Sequence, residues 1–360
     1  MPKLSTFDDF FNQATGPAYL TSADKVINDA QLRNYELLDR LTRDRAAVSI
    51  QGGTQIKDMV LLDDPNTAET YSPGDAATVT NVQGGTTILT DWRFTRVPIS
   101  WTDAEILLNS GGSETSKESR FHQFKNLKNF KYQQGLTSLM NLLERNLCTA
   151  ASVANQETGN DPWSVFYSLT TDGLAPSGFT TVHNVNPTTK SVWRNQTATW
   201  SSAFDDTNGI IAAFDQMALL VRWKRPPNFQ EYFTDSDLMR HVITTNREGR
   251  YTYSQALRAA NDVTRAGAQD PHYNDPTYNG IPVVPVEGYD DQSTFTAAQP
   301  GYLWTNLNYF KFVFHRDRFM EKTEVLKFAD KPDTSVVYVV CWGNLLNCSR
   351  QRSGYVSYSA

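Results

Sequence analysis

The sequence predicts an α+β protein, and three stretches carry that prediction. Residues 116–151 form the longest uninterrupted helical pattern, residues 51–85 are punctuated by glycine and proline with almost no core of their own, and the tail beyond Phe310 is rich in strand patterns.

The helical run is justified by spacing. Leu136, Leu139, Met140, Leu143 and Leu147 recur at steps of three and four, which lines one helix face. The first half holds Lys117, Arg120, Lys125, Lys128 and Lys131 against one acid, Glu118, with Phe121, Phe124 and Leu127 as its apolar contacts. Ser116 follows the flexible Ser110-Gly111-Gly112-Ser113 and is a suitable N-cap. Gly135 is the weak point, worth roughly 1 kcal/mol against alanine. About 35 residues rising ~1.5 Å each give a rod near 50 Å, longer than an ordinary domain needs.

Earlier in the chain, residues 1–20 read as an arm. Residues 21–45 read as a helix with Val26, Ala30, Leu37 and Leu41 on one side. Between 51 and 85 the candidate core residues are Ile56, Met59, Val60, Leu61 and Leu62. A structureless loop of that length is rare inside a compact domain, so a long hairpin reaching away from the body is expected, its tip near residues 66–74. From Asp58 onward this loop carries Asp58, Asp63, Asp64, Glu69 and Asp75, and Lys57 is its one lysine.

Strand alternation follows. Ile88, Thr90, Trp92 and Phe94 share one face, and the apolar phase flips at Arg96, so that Val97, Ile99 and Trp101 carry it on. Beside Pro98, such a flip predicts a bulge or bend on an edge strand. Residues 152–205 are loop-rich, 206–223 a second helix, 241–245 a strand, 254–263 a short helix and 280–284 another strand. Phe310, Phe312 and Phe314 alternate with Lys311 and His315, and residues 336–342 form a continuous apolar run that fits a buried strand.

Composition sets limits on function. The 360 residues carry 33 basic and 39 acidic groups, net charge -6, so there is no global basic excess to neutralise phosphates. Cys148, Cys341 and Cys348 are too few for a disulfide framework or a zinc site. No signal peptide is expected, and no apolar run reaches membrane length.

Catalytic patterns are missing. The nearest phosphate-loop candidate, residues 111–117, lacks the glycine before Lys117, and neither G-x-S-x-G nor H-E-x-x-H occurs. His122, His183, His241, His272 and His315 have no ligand spacing and read as surface or satisfied core residues. The pairs Asp63-Asp64, Asp205-Asp206 and Asp290-Asp291 lie in turn-rich segments, where solvated carboxylates are the simpler explanation than acid/base work. Cys148 on the apolar helix reads as packing. No catalytic group, cofactor or metal is expected.

In order along the chain, several short motifs resemble the major capsid proteins of tailed phages with the Hong Kong-97 (HK97-like) fold. Gln51-Gly52-Gly53-Thr54-Gln55-Ile56 is similar to the start of that family's extended loop, Trp92-Arg93-Phe94 to its returning strand, and Glu105 to Asn109 with Gly111 to the approach to the spine helix. Asp172-Gly173-Leu174 and Trp193-Arg194-Asn195 resemble loops entering the axial domain, and Asn279-Gly280-Ile281-Pro282-Val283-Val284 its late strand. Trp342-Gly343-Asn344-Leu345 with Arg350-Gln351-Arg352-Ser353-Gly354 resembles the C-terminal segment. Each is short, and their shared order carries the resemblance.

The resemblance implies an arm and helix over 1–50, an extended loop over 51–100, a peripheral domain with the spine helix over 101–165 and an axial domain over 166–295. Residues 296–360 would supply strands returning to the peripheral domain. It implies a shell protein that self-assembles through hexameric and pentameric capsomers into the virion capsid in the host cytoplasm. Such a shell encloses double-stranded DNA without specific binding or membrane contact, alongside portal and decoration proteins. The extended loop begins too early for a scaffolding segment ahead of it, so a separate scaffold or none is expected. Crosslinking through Lys57 lacks a partner motif. Across subunits, the acidic loop (Asp58, Asp63, Asp64, Glu69, Asp75) would meet the basic start of the spine helix (Lys117, Arg120, Lys125, Lys128, Lys131). The alternatives are a carbohydrate-active enzyme or binding protein, suggested by aromatic content and paired acids, and another phage structural protein such as a tail component.

Overall fold

The computed structural model describes residues 35–43, 47–62, 70, 72, 84–105, 117–202, 208–221, 241–259, 276–292, 295, 300–327 and 331–359, with backbone alone for 43, 117–129 and 258–259. The strands are β1 (Ala47–Ile50), β2 (Gln55–Leu61), β3 (Gly85–Asp91), β4 (Phe94–Thr102), β5 (Gln196–Trp200), β6 (His241–Thr245), β7 (Thr277–Tyr278), β8 (Ile281–Pro285), β9 (Tyr302–Asn306), β10 (Phe310–His315), β11 (Glu321–Lys322), β12 (Leu326–Lys327), β13 (Thr334–Asn347) and β14 (Gly354–Tyr358). The helices are α1 (Glu36–Arg43), α2 (Lys117–Cys148), α3 (Val165–Ser168), α4 (Ile210–Val221), α5 (Arg247–Ala259) and α6 (Glu287–Asp291).

The first sheet is built on β13. Its first part pairs with β4 from Thr334↔Thr102 to Trp342↔Phe94, and its last part with β10 from Gly343↔Phe314 to Asn347↔Phe310. β11 and β12 add to β13, and β1 runs parallel to β10. Alternation decides what each face does. Val337, Val339, Cys341 and Leu345 turn toward the core that α1 and α2 cover, together with Phe310 and Phe312. Val313 and Leu346 point the other way, into a smaller cluster with Ile56, Ile88, Val185 and Trp193. Burial alternates along the apolar run, where Tyr338, Val340 and Trp342 are half-buried, and becomes continuous only over residues 343–347, which are covered on both faces.

Helix α2 packs through Leu136, Leu139, Met140, Leu143 and Leu147, as its spacing predicts. Gly135 is where β4 crosses it: a Cβ there would lie 2.6 Å from Ile99 Cδ1. The residue that weakens the helix is therefore the one that lets the strand approach.

The second sheet runs β5-β14-β9-β6-β8-β7. Phe214 of α4 stacks on Tyr253 of α5 with ring centroids 5.0 Å apart, and presents its edges to Tyr302 and Trp304. The β7–β8 hairpin turns on Asn279-Gly280, with φ of 48° and 81°, the left-handed pair that a two-residue hairpin requires.

Several expectations are corrected. The helix expected at 254–263 begins at Arg247, because Asn246 Oδ1 caps it by accepting from Gly249 N–H at 2.8 Å. The polar Glu248-Gly249 hid that first turn. The strand break falls at Trp92-Arg93, between β3 and β4, and β4 then runs unbroken through Arg96 and Pro98. Pro98 sits on a strand whose pairing partner is β13, consistent with an edge. Met59 and Leu61 are not core: they are 78% and 70% exposed. Of the C-terminal strands expected beside the long helix, β10 and β13 lie there, whereas β9 and β14 belong to the second sheet. The arm at 1–20, most of the helix expected at 21–45 and the hairpin tip lie outside the described residues.

Candidate assembly surfaces

The root of the long hairpin is a two-stranded ladder, β2 on β3, in register from Gln55↔Asp91 to Leu61↔Gly85. The period of two splits its side chains. Ile56 and Ile88 turn inward and are buried against Val313, Leu346 and Trp193. Lys57, Met59 and Leu61 turn outward. The inner side is also held by polar contacts. Leu89 N–H donates to the His183 carbonyl (3.2 Å), Thr90 Oγ1 lies 2.8 Å from His183 Nδ1, and Asn344 Nδ2 donates to the Asp91 carbonyl (2.8 Å). Trp92 Nε1 donates to the Gly53 carbonyl at 2.9 Å, closing the base of the hairpin. The described root is thus fixed on one side and presents apolar surface on the other.

The motifs that carry the capsid resemblance converge at a second point. Arg350, on the turn between β13 and β14, is fully buried. Its Nε donates to the Ser168 carbonyl (2.7 Å), one terminal nitrogen to the Trp193 carbonyl (3.0 Å), and the other to the Leu174 carbonyl (2.8 Å) and Asn195 Oδ1 (3.0 Å). Two segments, 168–174 and 193–195, are tied to one guanidinium that lies at least 155 positions further along the chain. Burial lowers its pKa to about 10, so it remains charged at neutral pH. Next to it His183 is held down to about 3, by burial first and then by Arg350, and is neutral. Because Asn347 N–H donates to His183 Nε2 (3.3 Å), the ring proton belongs on Nδ1, facing Thr90.

The charged residues singled out from the sequence divide into two groups. Asp58 is engaged within its own chain: Lys311 Nζ lies 3.8 Å from its Oδ2, and Cys348 Sγ donates to the same oxygen at 3.0 Å. Lys131 is likewise engaged, with Glu105 Oε2 at 2.6 Å and the Ser100 carbonyl at 3.0 Å. Asp63, Asp64, Glu69 and Asp75 lie outside the described residues, as do the side chains of Lys117, Arg120, Lys125 and Lys128, whose backbone is in α2. Among the described residues, Asp58 is paired with Lys311 and Lys131 with Glu105.

The surface that sequence reasoning missed is apolar. Met59 and Leu61 are joined as exposed side chains by Phe94 at 58%, whose ring meets Trp342 edge-on at 5.0 Å. Alternation along β2 was the available signal. Burial pushes the Cys341 thiol up to about 11 and Cys348 up to about 12, away from thiolate reactivity. Among the described residues no cluster of side chains is arranged to hold a metal ion. None of the described helices is long and apolar enough to cross a membrane.

A hairpin rooted on a sheet, a long helix across that sheet and a second helix-flanked sheet make up the HK97-like fold. Solved structures place the chain there along nearly its whole length. It is similar to a chain of the Cyanophage A-1(L) capsid asymmetric unit, at TM-score 0.54 and 14% identity over 92% of this chain and 94% of that one. It is similar to the capsid of a native GTA particle, at TM-score 0.54 and 10% identity over 96% of both. The holo-SrpI encapsulin complex of Synechococcus elongatus PCC 7942 matches at TM-score 0.50 and 9% identity, over 98% and 96%. No protein-family model and no curated protein matches the sequence.

Proposed function

We propose that the chain is the major capsid protein of a tailed phage, assembling with copies of itself into an icosahedral shell around double-stranded DNA. What supports this most is the near-complete two-way coverage with capsid chains, which leaves little of either chain outside the shared fold. The outward Met59 and Leu61 add to it. The inner face of the hairpin root is packed on its own subunit, which leaves the exposed apolar outer face to be covered by a neighbouring subunit, the partner a shell supplies. In this reading the region around α2 and the first sheet is the peripheral domain, and the second sheet with α4 and α5 is the axial domain. The capsomers are hexameric and pentameric, and assembly takes place in the host cytoplasm before the protein resides in the virion. Portal, decoration and any scaffolding proteins are its partners.

The protein performs no catalytic step in this role, and a net charge of -6 suits a wall that confines DNA without gripping it. An encapsulin-type shell is the second reading, favoured by the encapsulin match. Expression of the chain, sedimentation and electron microscopy test the proposal. Capsomers or closed particles are expected, and particles recovered from phage should hold nuclease-protected DNA. A chain that stays monomeric at every concentration and salt tested, with or without phage lysate, argues against any shell. Particles that enclose protein rather than DNA favour the encapsulin reading.

A further inference from the structure

Helix α1 is fastened to the spine helix by a buried carboxylate. Leu37, Leu38 and Leu41 of α1 pack among Leu139, Leu143 and Leu147 of α2. At the start of α1, where backbone N–H groups have no partner within the helix, Leu38 N–H donates to Glu144 Oε2 at 2.9 Å and Leu37 N–H to Glu144 Oε1 at 3.3 Å. Glu144, 5% exposed, thus caps a helix more than a hundred residues away in sequence. Tyr35 reinforces the junction through its hydroxyl, 3.5 Å from the Thr137 carbonyl.

Among the described residues, the ionisable groups that act on this carboxylate are acidic or neutral. From α1 it faces Glu36, which repels a negative charge, although Arg40 holds Glu36 at 2.8 Å. On its own helix the neighbour is Cys148, and from α6 come Tyr289 and, beyond Cys148, Asp291. Burial keeps both Cys148 and Tyr289 protonated. The two N–H groups of α1 are the favourable partners of the ionised form, and they do not match the solvation it loses.

We propose that docking of α1 on α2 takes up a proton at Glu144, so that α1 is held more firmly in mild acid than in mild alkali. The latch follows from geometry, because α1 supplies both N–H groups that meet Glu144 and covers it from one side, while Gly288 of α6 packs close to it on another. Its direction follows from the balance of burial against the two N–H bonds. Docked, the carboxyl is raised to about 7, chiefly by burial, with the N–H bonds opposing and Glu36 adding. With α1 lifted off, Glu144 gains water on that side and its carboxyl falls back toward the ordinary range. Between those values the docked state holds the extra proton. Its advantage is fully present below the lower value and is lost as pH rises through about 7.

The test is hydrogen exchange of the 35–43 amides in the full chain from about pH 5 to about pH 9, corrected for the intrinsic rate. In the wild type, protection of this segment should fall with rising pH by up to ~100-fold, levelling off above neutrality. Glu144→Gln, which keeps an acceptor and removes the proton, should give protection that does not change over the same range. Protection in the wild type that is flat or rises with pH overturns the proposal, as does an unchanged slope in Glu144→Gln. Should that variant fail to fold, the carboxyl carbon resonance of Glu144 in the wild-type chain decides. A midpoint close to 7 supports the latch, and one in the ordinary carboxylate range overturns it.

Discussion

Arg350 Nη2 lies 3.0 Å from Asn195 Oδ1 in a fully buried setting, and none of the guanidinium's four hydrogen bonds goes to a carboxylate. A buried cation is costly, and here carbonyl and amide oxygens alone offset the lost water. Arg350→Lys should lower stability by about 3–5 kcal/mol, since one ammonium cannot reach four acceptors set around a planar fork. Urea unfolding of the unassembled subunit measures it, and a loss below ~1 kcal/mol would contradict the keystone role.

His183 should shape the acid side of the stability profile. Its folded pKa of about 3 lies below its unfolded value, so its contribution is fully present above the unfolded value and is lost as pH falls toward 3. At most about 5 kcal/mol is involved. The unfolding midpoint of His183→Gln should show a shallower dependence on pH over that window than the wild type.

Gly135 sets helix propensity against packing. Alanine would strengthen α2 by roughly 1 kcal/mol, yet its Cβ would press on Ile99 Cδ1 and Cγ1. The clash is expected to win, for a net loss of about 1–2 kcal/mol. In a double-mutant cycle with Ile99→Ala the two changes should couple favourably, because the second removes the atoms the first displaces.

Met59→Ser with Leu61→Thr removes the outward apolar face of β2 and touches no buried contact. Subunit stability should move by less than about 0.5 kcal/mol, while sedimentation shows impaired shell formation. Equal assembly in the double variant would remove this face from the contact surface.

Charge complementarity makes a separate prediction. Lys125→Glu with Lys128→Glu should impair assembly at low salt while the subunit stays folded, and Asp63→Lys with Asp64→Lys in the same chain should partly restore it. Each pair is worth about 0.2–1 kcal/mol, so the effect depends on repetition around the shell and should fade as salt rises. Lys131 and Asp58 are poor choices for the same experiment, because Glu105 and Lys311 already hold them.

The sequence by itself determined the elements whose signal is periodic and local. The apolar stripe of α2 from Leu136 to Leu147, the strand of β10 and the hairpin of β2 and β3 were all legible, because burial on one face leaves a period of 3.6 or 2 in the residues themselves. The order of the elements pointed to the fold. Tertiary structure alone decided the rest. Arg350 and Glu144 are ordinary charged residues in their own neighbourhoods, and their partners lie 155 to 182 and 106 to 107 positions away. Gly135 read as a defect until Ile99 was placed against it, and Met59 and Leu61 read as core until the hairpin's inner face was assigned. In each case the deciding interaction joins segments distant in sequence, and local pattern carries no record of what the chain folds back to touch.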